Sequence, residues 1–218
     1  MTEPETARIN MIKQQLLPSD VTDEKVLAVM SSVPREQFLE PALKGLAYAE
    51  LHLPIGCGQT MLTPVLEGRM LQALDLQPDE TVLEIGTGSG YFTALLAKLA
   101  AKVISVDYFE LLSQQAQARL DELGLHNIDF QVGDAAKGWP LPDRIDAIVM
   151  TAAFETLPED YLNQLKVGGR LLAVVGKAPA MSVQWIKRIS EREWQTRSLF
   201  ETVIAPMIHA EPKPEFEF

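Results

Sequence analysis

The sequence has a single cysteine, Cys57, and only three histidines, His52, His126 and His209. An internal disulfide is therefore excluded, and no Cys and His spacing typical of a zinc site is present. No metal is expected, and a reducing, cytoplasmic setting is. Apolar runs approaching the ~18 to 20 residues that span a bilayer are also missing. Met1 to Lys13 mixes Glu3, Glu5, Arg8 and Lys13 and lacks the apolar stretch of a signal peptide. Neither export nor membrane insertion is expected. Net positive charge is lacking too: 19 Lys and Arg stand against 30 Asp and Glu, for a formal charge of -11. Without a general field that gathers phosphates, nucleic acid is not an expected partner. Trp139, Trp185 and Trp194 are spread over separate segments and form no stacking set of the kind single-stranded nucleic acid needs, so packing is their expected role.

What is present is a globular composition, 47% hydrophobic and 22% charged over 218 residues. That is enough for one domain of ordinary size and an extension. From about Glu5 to Gln72 apolar residues recur at helical intervals, as in Val26, Val29, Met30 and Val33, and prolines 18, 34, 41, 54 and 64 interrupt them. Short helices and loops are predicted there, one of them capped by Thr22 and running to about Ser32. From Thr81 the pattern changes to short β-branched runs alternating with helical stretches. The runs are Thr81 to Ile85, Lys102 to Val106, Ile128 to Val132, Ile145 to Met150 and Arg170 to Val175. Gly90 to Ala100, Phe109 to Leu123 and Pro158 to Lys166 fit crossover helices, which predicts an α/β fold with a doubly wound, mostly parallel Rossmann-like sheet. Val183 to Ile189 and Thr196 to Ala205 are separated by too little chain for a helix, so antiparallel strands are predicted. The expected organisation is an N-terminal helical extension and substrate-side loop (1–76), a cofactor-binding core (77–210) and a flexible proline-rich tail (211–218). The sequence does not set an oligomeric state.

The segment richest in chemistry is Val82-Leu83-Glu84-Ile85-Gly86-Thr87-Gly88-Ser89-Gly90-Tyr91. Glycines between a strand and a helix let backbone amides approach a ligand at the helix N-terminus. A dinucleotide fingerprint needs its third glycine at position 91, where Tyr91 stands, so NAD and FAD are disfavoured. Glu84, inside the strand, requires a cationic or hydrogen-bonding partner. Asp107, next to Tyr108, ends the second strand where a carboxylate accepts from both hydroxyls of a ribose, and Asp134-Ala135 ends the third, within reach of an adenine amino group. Singly, these glycines could merely close a turn and these acids cap helices. Together and in this order they favour a bound cofactor, held by Glu84, Gly86, Thr87, Gly88, Ser89, Gly90, Asp107, Tyr108, Asp134 and Ala135.

Val82 to Tyr91, Gly133-Asp134, Ile145 to Val149 and Gly168 to Leu171 resemble class I S-adenosylmethionine-dependent methyltransferases. Met30 to Phe38, with Val33-Pro34-Arg35-Glu36, then Ala47-Tyr48, Leu53 to Thr60, Leu123-Gly124, Thr151 to Ala153, Val174 to Gly176 and Phe200 to Val203 resemble the protein-L-isoaspartate O-methyltransferase family over nearly the whole chain. The resemblance implies methylation of the α-carboxylate of isoaspartyl residues in damaged protein or peptide, collapse of the ester to a succinimide, and S-adenosylhomocysteine as coproduct. The family has a serine after Gln-Thr-Ile, then one variable residue and a proline. Here the stretch reads Gln59-Thr60-Met61-Leu62-Thr63-Pro64, so Leu62 stands at the serine position and cannot donate to a carboxylate. Thr60 or Thr63 is the candidate replacement. Two other readings stay open: a cofactor-binding homologue without isoaspartyl turnover, or a methyltransferase for a less polar acceptor. Glu50 and His52 depart from an Asp and a Pro common in the family. His52 has no paired acid in view and is expected to be structural, and Cys57 incidental.

Overall fold

The computed structural model describes residues 2–210. The proline-rich tail expected at 211–218 lies outside the described residues. The chain runs through α1 (Glu3–Met11), α2 (Glu24–Ser32), β1 (Leu53–Gly56), β2 (Gln59–Met61) and α3 (Pro64–Leu74) before the sheet begins. It continues as β3 (Thr81–Ile85), α4 (Tyr91–Leu99), β4 (Lys102–Asp107), α5 (Glu110–Glu122), β5 (Ile128–Val132), β6 (Ile145–Phe154), α6 (Glu159–Asn163), β7 (Leu165–Lys177), β8 (Ala180–Ser190) and β9 (Glu193–Glu201).

Seven strands form one sheet in the order β5-β4-β3-β6-β7-β8-β9. The first five are mutually parallel, and β8 and β9 are antiparallel, as predicted. The chain moves outward from β3 through β4 to β5, then returns to the other side of β3 as β6. That reversal is the topological switch point, and the crevice beyond the carboxyl ends of β3 and β6 is where ligands bind in open α/β sheets.

Alternation within a strand sends neighbours to opposite faces. Leu83 and Ile85 join one buried cluster with Ile104, Val106, Ile148 and Phe154. Val82 joins the other, which also holds Met11, Met30, Phe38, Leu62 and Met70 from the N-terminal third together with Leu95 and Leu96 of α4. The first 76 residues thus share a core with one face of the sheet. Arg170 of β7 clamps Glu80 with two hydrogen bonds, 2.5 and 2.7 Å, and donates to the Leu74 and Asp75 carbonyls at the end of α3. Burial alone would push the Glu80 carboxyl up, but Arg170 and the Gln77 amide hold it below its usual value.

Four local expectations are corrected. The cap of α2 is Asp23, which accepts from the Lys25 and Val26 amides at 2.8 and 3.0 Å, whereas the Thr22 amide donates to Gln72 of α3. Residues 53–61 form a hairpin instead of a loop, with Leu53 opposite Met61 and Pro54 opposite Thr60. Strands of four and three residues, one carrying a proline, are too short for a period-2 pattern to register. The helix predicted over Pro158 to Lys166 is only Glu159–Asn163, because Leu165 already pairs with Ile145 in the sheet. The last strand ends at Glu201, not Ala205. Ile204 to Ile208 leave the sheet, and the Ala153 amide donates to the Ala205 carbonyl while the Met207 amide donates to that of Ala153.

Candidate functional site

The turn after β3 is held by backbone hydrogen bonds. The Gly86 amide donates to the Val106 carbonyl at 2.8 Å, and the Gly88 amide donates to Oδ2 of Asp107 at 2.8 Å. Two glycines are needed here for space as well as for their positive φ. A Cβ on Gly86 (φ 101°) would lie 2.2 Å from Oγ1 of Thr151, and one on Gly90 (φ 87°) would lie 2.8 Å from Ala116 and Leu120 of α5. Without side chains, α4 starts tight against α5 and the bare backbone of Gly86 and Gly88 borders the crevice.

That crevice is a cleft of about 780 Å³ of non-atom space, part of it open to solvent. Gly86, Gly88, Asp107, Tyr108, Asp134 and Ala135 line it. Asp107 is 6% exposed. Its Oδ1 accepts from the Phe109 amide at 2.8 Å, so two backbone donors fix the carboxyl plane. Burial still pushes the Asp107 carboxyl up, and the Gly88 and Phe109 amides offset only part of that. Asp134 behaves oppositely. The Ala136 amide, 3.0 Å from Oδ1, and His209, whose Nδ1 is 2.8 Å from Oδ2, hold it below the usual carboxylate range. Tyr108 stands exposed with its ring edge-on to His209, centroids 5.2 Å apart.

A smaller cavity of about 300 Å³ of non-atom space adjoins the cleft and shares Thr60, Leu62, Gly86, Gly88 and Thr151 with it. Thr87 and Ser89 line this second space, as does Glu67. Of the two hydroxyls proposed to replace the serine, only Thr60 borders the cavities. Thr63 lies outside both linings and caps the backbone of α3 without a side-chain bond. Leu62, 7% exposed and part of the apolar core, lines both.

Glu84 and Gly90 are not on either wall. Because side chains alternate, Glu84 points away from the Leu83 and Ile85 face and under α4. Its Oε2 accepts from Thr93 and Ser105, both at 2.6 Å, and the Ser105 hydroxyl lies 2.6 Å from that of Thr87. The partner that a buried acid demands is thus a pair of hydroxyls. Burial raises the carboxyl to about 8 against the opposing pull of these bonds, and its Oε1 has no hydrogen-bond partner.

Three features of the site go beyond the sequence expectations, in which Thr151 figures only within a quoted run and His52 as a structural residue. Thr151, at the bend in β6, donates to the Ile85 and Gly86 carbonyls at 3.1 and 2.7 Å. His52 lines the cleft beside Gln59 and Thr60, with Nδ1 3.3 Å from the Met61 carbonyl. Ile204 to Ile208 form a strap over the cleft. Pro206 of the strap bridges to Ala153 of β6. Cys57 sits in the hairpin turn at φ 52° as a free thiol. Among the described residues, no group of three acids, cysteines or histidines is placed to hold a metal, and no helix is long and apolar enough to cross a membrane.

The family model described as protein-L-isoaspartate(D-aspartate) O-methyltransferase (PCMT) matches residues 7–211. A protein-L-isoaspartate O-methyltransferase of Opitutus terrae is 44% identical over 185 residues, which are 85% of this chain and 78% of that protein. One of Alteromonas mediterranea is 43% identical over 202 residues, 92% and 95% of the two chains. A Plasmodium falciparum crystal structure, described as a protein-L-isoaspartate O-methyltransferase in complex with S-adenosyl-L-homocysteine, superposes with a TM-score of 0.77 over 95% of this chain and 99% of that one. At 18% identity, that likeness shows the shared fold.

Proposed function

The chain belongs to the protein-L-isoaspartate O-methyltransferase family, and from that premise we propose that it methylates the α-carboxylate of isoaspartyl residues in damaged protein or peptide. S-adenosylmethionine supplies the methyl group and leaves as S-adenosylhomocysteine. The observation that carries the reading is the bond between the Gly88 amide and Asp107 at the floor of the cleft, with Thr60 and Leu62 on its wall. A methyl donor and its acceptor can meet there.

The residues fit the donor. The bare backbone at Gly86 and Gly88 leaves room for the amino-acid end of the cofactor, and Asp107, its plane fixed, accepts from the ribose hydroxyls. Asp134, held below the usual carboxylate range, and Ala135 would lie on the adenine side of the cofactor, and Tyr108 lines the same cleft. Thr87, Ser89 and Gly90 shape the turn, and Glu84 supports it from behind through Ser105 and Thr87. The acceptor needs no general base, since a carboxylate with a reference pKa of ~4 is ionised at pH 7. What the protein must supply is alignment and a donor to the acceptor's second oxygen. Thr60 is the hydroxyl best situated for that. A reducing, cytoplasmic setting, in which Cys57 stays a thiol, completes the reading.

One observation favours a second reading. Leu62 presents an apolar side chain where the family's hydroxyl is expected, which suits a less polar acceptor. Incubating wild type and Leu62→Ser with labelled S-adenosylmethionine and an isoaspartyl peptide separates the two. Transfer by the wild type supports isoaspartyl methylation. Transfer by the serine variant alone, with S-adenosylhomocysteine bound equally by both, supports the altered acceptor.

A further inference from the structure

Arg35 lies in the turn Arg35–Phe38, which follows Pro34, and is completely buried. One of its terminal nitrogens donates to the Leu62 carbonyl and the other to Glu67 of α3. The guanidinium carbon lies 4.7 Å from the centre of the Tyr91 ring, whose edge packs on Phe38 with centroids 5.4 Å apart. Tyr91 is the first residue of α4 and follows Gly90 directly. One buried cation therefore touches the loop that walls the smaller cavity, the helix leading away from it and the first residue of the helix that the glycine turn opens.

A buried ion pair is a poor device for stability, because well-packed apolar residues of similar volume often do as well or better. What apolar residues cannot do is hold a carbonyl oxygen at a fixed point relative to an aromatic ring. The planar fork of arginine does so with two directional donors. Leu62 is the residue so held, and it lines both the cleft and the smaller cavity. A shift of this carbonyl moves Thr60 and Leu62 together, relative to a turn that is fixed by its own backbone bonds.

We propose that Arg35 is a positioning residue for methyl transfer: it sets the separation of the acceptor loop from the glycine turn by holding the Leu62 carbonyl, with Glu67 fixing its other arm. The inference rests on the isoaspartyl reading for its kinetic test. Its structural test does not.

Arg35→Met alone leaves Glu67 buried without its partner, so the decisive variant is the double replacement R35M/E67M. Relative to wild type it is expected to unfold at a similar temperature and to bind S-adenosylhomocysteine within about threefold. Its kcat on an isoaspartyl peptide is expected to fall about 100-fold, the effect of a misplacement of about 1 Å. Backbone hydrogen exchange at residues 59–63, with S-adenosylhomocysteine present, should quicken at least about tenfold while residues 82–91 stay as protected as before. A double variant with wild-type kcat and unchanged exchange at 59–63 would overturn the proposal. If the double variant does not fold, Arg35→Lys decides: it keeps the charge and loses the fork, so kcat should drop about tenfold with peptide KM little changed, and a kcat within threefold of wild type would overturn the proposal. A wild type that transfers no methyl defeats the functional reading only, and exchange at 59–63 still tests the positioning role.

Discussion

The two sides of the cleft are built by different means. On the donor side the chain fixes itself through its own backbone: Gly86 to Val106, Gly88 to Asp107 and Phe109 to Asp107 are contacts of main-chain amides at adjacent strand ends. On the acceptor side a short hairpin and the loop before α3 are held by side chains from afar, with Arg35 reaching Leu62 and Glu67, and Glu50 accepting from the Val65 amide at 3.0 Å. A backbone-built site tolerates few changes and leaves a pattern of glycines. A site held by side chains can change its chemistry one residue at a time.

The contrast is broken most severely at Gly86. Gly86→Val puts a branched side chain into Thr151 at a positive φ, and should abolish binding of S-adenosylhomocysteine in calorimetry and lower stability by at least about 1–3 kcal/mol. Asp107→Asn keeps the shape and removes the charge. The loss of charge-assisted bonds is about 1.5–3 kcal/mol, so affinity for S-adenosylhomocysteine should fall roughly 10- to 100-fold, with little change in the peptide KM. On the other side, Leu62→Ser should reverse that pattern. It removes a buried apolar side chain, at a cost of about 2 kcal/mol or more in denaturant unfolding. Cofactor affinity should stay the same while the KM for an isoaspartyl peptide falls several-fold.

Glu84 supplies a smaller, pH-dependent effect. Its carboxyl is raised in the fold from 4.5 to about 8, so its stabilising contribution is complete below pH 4.5 and is lost as pH rises toward and through 8. Glu84→Gln should therefore flatten the fall in stability between pH 5 and 8.5, measured by urea unfolding. His209→Ala should have the least effect. The His209–Asp134 pair is about half exposed, which limits the change in cofactor affinity to about 1 kcal/mol, and added salt should shrink it further.

The same contrast explains what the sequence revealed. Val82 to Tyr91, the acid at Asp107 and the succession of parallel strands along the chain were legible because local geometry demands glycine at Gly86 and Gly90 and β-branched residues in buried strands. The direction of Glu84 was legible in principle from alternation with Leu83 and Ile85, yet its place in the motif suggested direct ligand contact. The hairpin was hidden by its brevity, and the strap by its distance in sequence from Ala153. The roles of Thr60 and Thr63 could not be separated, since adjacent strand and cap positions differ only once α3 is seen to start at Pro64. Arg35 was quoted within a motif, but nothing local announces that it reaches Leu62.

The most direct test offers the wild-type protein labelled S-adenosylmethionine with two peptides identical except for one residue, isoaspartyl in one and aspartyl in the other. Base-labile methyl ester on the isoaspartyl peptide alone is the predicted result. Tight binding of S-adenosylhomocysteine with no methyl transferred to either peptide would contradict isoaspartyl methylation and leave the donor side of the cleft serving another acceptor.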